Sequence, residues 1–279
     1  MNAMIKRPGR TRAASEIAPI ALTRSAGVLT VARGMQVLRA FRSDQASLSN
    51  ADLVRRTGLS KATVSRLTTT MLQLGSLRRV PGGREFELAA ASIGIGHAFL
   101  AASDLLALAN PFLQGLADRL NVSVALAVRD DLEMLYLGYR VGHKVATLRL
   151  GVGSVLPLGT TAIGHAYLWG LPESERKLLL SALRQRLGAN AGRGERSIRD
   201  SFLELQQTGT CAVLAGYQRD AYALALPVRV GRHRIVMGLS CGKADVQPDL
   251  AAERKRIGPV LREAAVEFEE LMAGFDGQP

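Results

Sequence analysis

Cysteine is nearly absent. The two present, Cys211 and Cys241, form no CxxC pair and no disulfide framework, so a reducing cytoplasm is the expected setting. Long hydrophobic runs are missing as well. No uninterrupted apolar stretch approaches the ~18 residues needed to cross a bilayer. Histidine is scarce and scattered, at His97, His143, His165 and His233. None pairs as H-E-x-x-H and no Cys/His cluster has metal spacing, so neither a metal site nor a metal cofactor is expected. A G-x-S-x-G elbow is also missing. Asp130, Asp131 and Glu133 fall where a hairpin turn is expected, and acids there are ordinary turn residues. With no catalytic constellation, catalytic residues and an enzymatic activity are not expected.

Acid is short in one part of the chain. Residues 1–88 hold 15 Lys+Arg against 5 Asp+Glu, and the remainder holds 21 against 19. Nearly all of the net charge of +12 therefore sits on the first third, which favours a nucleic-acid partner over a merely solubilising surface. The length, 279 residues, suggests two domains, and 47% hydrophobic residues suffice for packed cores. Lys6, Arg7, Arg10 and Arg12 precede no hydrophobic core, so the start is no secretory signal. It faintly resembles a transit peptide, but a flexible basic tail over residues 1–25 is the expectation.

The basic part organises itself around residues 48–88. Residues 28–42 form a first helix, with Val31, Met35 and Leu38 inward. After a loop at 43–47, Ser49 and Asp52 make a capping-box-like pair for a second helix, which Gly58 breaks. Ser60 caps a third helix over 61–74, with Val64, Leu67, Met71 and Leu74 as its buried stripe. The other face carries Lys61, Thr63, Ser65, Arg66, Thr69, Thr70 and Gln73, polar and without an acid. Leu77 to Val80, Pro81-Gly82-Gly83 and Arg84 to Leu88 then read as a hairpin ringed by Arg78, Arg79 and Arg84. Helix, turn, helix and basic hairpin make a winged helix-turn-helix over residues 26–88. Its third helix is sized for the DNA major groove. Expected DNA contacts are Ser60, Lys61, Thr63, Ser65, Arg66, Thr69, Arg78, Arg79 and Arg84.

Residues 89–103 are small and apolar and read as a linker helix, its two glycines each lowering helix stability by about 1 kcal/mol. From residue 104 to 279 the period alternates. A helix at 104–120 leads to strands at 122–128, 134–139 and 145–150. Helices open at Ala162 and Glu173, a Gly-rich loop spans 189–194, and a third helix covers 197–208. Strands at 222–230 and 234–241 and a helix at 249–272 close the chain. That order describes an α+β domain around a mainly antiparallel sheet. Thr160, Thr161 and Ala162 stand at a helix N-terminus, where hydroxyls and N–H groups suit an anion; plain capping by either threonine is the other reading. Ser240 and Cys241, at a strand end, supply further polar contacts.

These residues also carry a resemblance. Val31-Ala32-Arg33-Gly34-Met35-Gln36-Val37-Leu38 resembles the first-helix signature of the IclR family of bacterial transcription regulators. Residues Gly58 to Leu67 resemble its recognition-helix start, and Leu74 to Arg79 with Gly82-Gly83-Arg84 its wing. Pro157 to Ala166 resembles the family's Pro-Leu-x-x-Thr-Ala-x-Gly-Lys-Ala segment, with His165 in place of the lysine. Ala223 to Val228 resembles its Ala-Ile-Ala-Ala-Pro-Val strand and Leu239-Ser240 a strand end, with Cys241-Gly242-Lys243 departing from it. The resemblance covers about residues 28–272. It implies a GAF-like effector-binding domain whose pocket the last three segments line, placing Thr160, Thr161, Ala162, Ala223, Ser240 and Cys241 there.

The expected function is a ligand-responsive transcriptional regulator, of a catabolic operon, with no cofactor. Its partners would be double-stranded operator DNA, a small carboxylate effector and further copies of itself, as dimer or tetramer, with no membrane. Two rivals remain. Gly192-Arg193-Gly194 faintly resembles the phosphate-covering loop of biotin ligases, some of which carry a winged helix. Alternatively, the second domain only dimerises a constitutive DNA-binding protein.

Overall fold

A computed structural model describes residues 26–42, 45–143, 145, 150–245 and 247–277. The basic tail at 1–25 and most of the strand expected at 145–150 lie outside them. The chain separates into two compact units, divided between Ala89 and Ala90 with Arg42–Gln45 grouped in the second.

The first unit contains α1 (Ala26–Arg39), α2 (Asn50–Thr57), α3 (Lys61–Gln73), β1 (Leu77–Arg79) and β2 (Phe86–Leu88). Local chemistry sets the helix ends. Ser49 and Asp52 close a full capping box on α2, and Gly58 ends it in the left-handed region. The Ser49 hydroxyl and backbone, then Arg55, hold the Asp52 carboxyl down to about 2. Strands β1 and β2 pair antiparallel, with Arg78 opposite Glu87. Val37, Phe41, Leu48, Leu53, Val64, Met71, Leu77 and Phe86 form the core.

Two stripes run differently from the sequence reading. On α1, Val31 and Met35 face outward while Val37 faces inward, as does Ala40 just past the helix end. At the C-cap of α3, Leu74 is 71% exposed, and within the helix Thr68 is buried instead. Threonine is tolerated there because its hydroxyl donates to the Val64 carbonyl, 3.0 Å away, so no buried polar atom is orphaned.

The second unit opens with α4 (Ala91–Ala102), a helix with no buried residue. Then follow α5 (Asp104–Leu120), β3 (Ser123–Asp130), β4 (Glu133–Val141), β5 (Val155–Pro157), α6 (Ala162–Gly170), α7 (Glu173–Leu187), α8 (Ala191–Thr208), β6 (Cys211–Leu214), β7 (Ala221–Val230), β8 (Ile235–Ala244) and α9 (Leu250–Leu271). The six strands form one antiparallel sheet in the order β5-β4-β3-β8-β7-β6. Helices α5 and α9 pack on one face and α6 on the other, with α8 behind α6. A register shift at Leu126/Ala127 puts Gly138 opposite Leu126 and Tyr136 opposite Ala127, so Leu137 is the extra residue. Tyr136 and Tyr139 consequently stack, ring centroids 6.0 Å apart.

The Gly-rich loop expected at 189–194 is helical. A short 3₁₀ turn at Gly188–Asn190 runs straight into α8, so Gly192-Arg193-Gly194 lies in that helix's first turns. Burial of Ile198, Ser201 and Leu205 outweighs the roughly 1 kcal/mol that each glycine costs a helix. Among the described residues no single helix is long and apolar enough to cross a membrane; α4 and α5 qualify only as a pair bent by 84°.

Candidate functional site

The first candidate surface belongs to α3 and the hairpin. Ser60 caps α3: its hydroxyl accepts from the Thr63 N–H at 3.3 Å and lies 2.9 Å from the Thr63 hydroxyl. Lys61, Ser65, Arg66, Thr69, Thr70 and Gln73 are exposed along one side, with Thr63 half-buried beside them. The Thr69 and Thr70 hydroxyls donate to the Ser65 and Arg66 carbonyls. Those two therefore present acceptor oxygens outward, and the donors on this face are Lys61, Ser65, Arg66 and Gln73. The three hairpin arginines differ. Arg78 pairs with Glu87, Arg79 lies over the Phe86 ring at 5.2 Å, and Arg84 stands exposed in the connecting turn.

The second candidate is a cavity of about 50 Å³ between α6 and the sheet. Thr161, Ala162, Ala223 and Ser240 line it, joined by Tyr136, Tyr217 and Gln218 and an otherwise apolar wall. Among the described residues no Arg, Lys, Asp, Glu or His lines it. Thr161 is the N-cap of α6. Its hydroxyl donates to the Pro157 carbonyl at 2.7 Å and accepts from the Gly164 N–H at 3.3 Å. The Thr160 hydroxyl donates to the Gly216 carbonyl at 2.9 Å. Both hydroxyls are thus committed within the protein. What this helix start offers instead is its first-turn N–H groups, Ala162 and Ile163, which have no intrahelical carbonyl to meet.

Ser240 faces the cavity and hydrogen-bonds the Tyr136 phenol, whose pKa burial pushes up. Cys241, its neighbour on β8, does not line the cavity. Successive strand residues point to opposite faces, and Cys241 packs in the core on the other face with Arg256 of α9 nearby. Burial pushes its thiol up to about 12, and pushes Cys211 up as well, leaving both protonated and unreactive.

Behind the cavity lies a buried polar group not anticipated from sequence. His165 is fully buried, its Nδ1 2.8 Å from the Ser201 hydroxyl of α8. Its Nε2 has the Gly159 backbone nearby but no hydrogen bond of acceptable geometry. Burial lowers its pKa to about 4, so the ring is neutral at pH 7. Gly164 explains how the first turn of α6 packs so closely: a Cβ there would sit 2.1 Å from the Leu158 carbonyl oxygen. Among the described residues no group of His, Cys, Asp and Glu is placed to hold a metal.

A winged helix-turn-helix with an acid-free recognition face, followed by a sheet domain holding a small cavity, defines a ligand-responsive, DNA-binding transcriptional regulator. Comparison with known families agrees. The IclR helix-turn-helix domain matches residues 30–81 and the bacterial transcriptional regulator IclR C-terminal domain matches residues 97–269. The chain belongs to the IclR family, whose members are transcriptional regulators and not enzymes. It is 29% identical to the HTH-type transcriptional regulator TsaQ1/TsaQ2 of Comamonas testosteroni, over 88% of each chain. With the Pca regulon regulatory protein of Pseudomonas putida it shares 24% identity over 85% of this chain and 81% of that one. The crystal structure of an IclR family regulator from Brucella abortus superimposes with a TM-score of 0.76 at 32% identity, covering 86% of this chain and 91% of that one. An IclR homologue complexed with 4-hydroxybenzoate, from Microbacterium hydrocarbonoxydans, shares the fold at a TM-score of 0.62 and 23% identity, over 87% and 98% of the two chains.

Proposed function

We propose that this regulator controls a catabolic operon in the bacterial cytoplasm and responds to a small organic acid held at the N-terminus of α6. Residues 26–88 bind operator DNA, residues 89–103 link, and residues 104–279 bind the effector and self-associate as a dimer or tetramer. On the DNA side the contacts are Ser60, Lys61, Thr63, Ser65, Arg66 and Thr69 in the groove, with Arg84 and Arg79 on phosphates. Arg78 joins them only by leaving Glu87. The exposed Ile93 and Ile95 of α4, 72% and 74% accessible, supply apolar surface for association.

The observation that carries the ligand reading is the cavity placed against the start of α6 with Ser240 and the Tyr136 phenol across from it. The N–H groups of Ala162 and Ile163 meet a carboxylate there, assisted by the helix dipole. Because no side-chain cation among the described residues lines the cavity, a monocarboxylate with an apolar remainder suits it better than a dianion. The kinship with a regulator named for the Pca regulon fits a catabolic role.

A thermal-shift screen of the full-length protein tests this, with acetate, benzoate, 4-hydroxybenzoate and succinate as probes. At about 100 times its dissociation constant a ligand stabilises by roughly 2.7 kcal/mol, a rise of roughly 5–10 °C. A monocarboxylate is expected to raise the melting temperature, and Ala162→Leu, which fills the cavity, to abolish the rise while the protein stays folded. No shift across the panel, or an equal shift in Ala162→Leu, refutes the assignment.

A further inference from the structure

The cavity is smaller than the ligands it would suit. About 50 Å³ holds roughly four water molecules at ~10–15 Å³ each. A carboxylate with one carbon attached fits inside; a ring extends into the open mouth, so the groups at the mouth decide its entry. Most of the wall is α6 and the strands, which carry the hydrogen-bonded pair Tyr136–Ser240, with Leu150 beside them. The rest is the turn at residues 215–220 between β6 and β7. Its base is closed by the Ala215 N–H donating to the Ala221 carbonyl at 2.8 Å. Its middle lies on the start of α6, where the Thr160 hydroxyl donates to the Gly216 carbonyl at 2.9 Å. The approach is so close that a Cβ on Gly216 would sit 2.4 Å from the Thr160 carbonyl oxygen. Next in sequence, Tyr217 and Gln218 line the cavity, and Tyr217 is 38% exposed to solvent. A side chain that touches both cavity and solvent marks the mouth.

We infer that Thr160 is a positioning residue, whose hydroxyl latches the 215–220 turn so that Tyr217 narrows the mouth of the cavity, and that ligands larger than acetate enter more readily when this latch opens. The inference rests on the cavity being the effector site. It moves Thr160 from ligand contact to gate. A neutral hydrogen bond contributes about 0.5–1.5 kcal/mol net, so removing the donor should raise the open population about threefold to tenfold. Thr160→Val suits the purpose, since it replaces the hydroxyl by a methyl of similar size that cannot donate to Gly216.

The test is thiol labelling of the full-length protein with a Ser240→Cys reporter in the cavity, using a methanethiosulfonate reagent, with native Cys211 and Cys241 as buried internal controls. Adding Thr160→Val should speed labelling at position 240 about threefold to tenfold and leave Cys211 and Cys241 unchanged. Thr160→Ser keeps the donor and should label at the parent rate. Tyr217→Ala should label fast whatever residue occupies position 160. An unchanged rate at 240 in Thr160→Val overturns the latch. So does parallel acceleration of all three thiols, which would mean general loosening. Benzoate should slow labelling at 240 in the Thr160→Val background; lack of protection would count against the organic-acid reading and leave the latch standing on its own rates.

Discussion

Burial makes the stability contribution of His165 depend on pH. Its folded-state pKa is about 4 against an unfolded value of 6.5. Between those values the unfolded chain binds more protons than the native one, so stability rises with pH across the window and is lost on acidification from about pH 6.5 toward 4. At pH 4.5 the loss from this residue is roughly 2 kcal/mol relative to neutral pH, because each pH unit crossed inside the window costs a little over 1 kcal/mol. Carboxylates titrate nearby in pH, so the comparison needs His165→Gln, which stays near the Ser201 hydroxyl without a titrating group. Denaturant unfolding at pH 7 and 4.5 should show the parent losing roughly 2 kcal/mol more than the variant. Equal losses would mean that His165 reaches water in the native state. Nothing in the local sequence announces this burial, because it depends on Ser201, 36 residues away.

At the scale of elements, α3 and the wing have separable tasks. Arg66 is exposed near the start of α3 and makes no ion pair among the described residues, so it can reach a base edge. Arg66→Ala should cost about 1–3 kcal/mol of operator affinity and relax specificity at one base pair. Arg84→Ala should weaken binding to every sequence alike and lower the salt slope by about one. Gel-shift titrations on operator and scrambled duplexes at several salt concentrations distinguish the two. An operator affinity untouched by Arg66→Ala would take α3 out of the groove. The helix itself was legible because its determinants are local: the Ser60 cap and the 3.6-residue period. Its buried stripe was legible only in part. Val64 and Met71 fit either register, but exposure of Leu74 and burial of Thr68 depend on which neighbours pack beside α3, and a hydrophobic pattern read along one helix does not contain them.

For the whole molecule, one winged helix covers too few base pairs to define an operator, and symmetric pairs match half-sites along a duplex. Light scattering at micromolar concentration should therefore give at least twice the 29.9 kDa chain mass. Replacing Ile93 and Ile95 by Ser, which removes apolar surface left exposed on α4, should shift the protein toward lower mass. A monomer with and without DNA would exclude paired half-sites.

By itself the sequence determined what local chemistry decides. Caps, helix breaks and hairpin pairing over residues 48–88 follow from backbone groups that find partners within a few positions, and the excess of positive charge is a matter of counting. Segments such as Pro157 to Ala166 carried enough pattern to place the start of α6. Only the tertiary structure decided which polar atoms remain available there. The Thr160 and Thr161 hydroxyls look alike in sequence, yet one holds Gly216 and the other Pro157 and Gly164. Ser240 and Cys241 are adjacent, and strand alternation assigns just one of them to the cavity once the register with β3 and β7 is fixed. Tyr136 and Tyr217 reach the same cavity from positions far apart in the chain. Which side chains converge is set by long-range pairing of strands, and no short window of sequence encodes it.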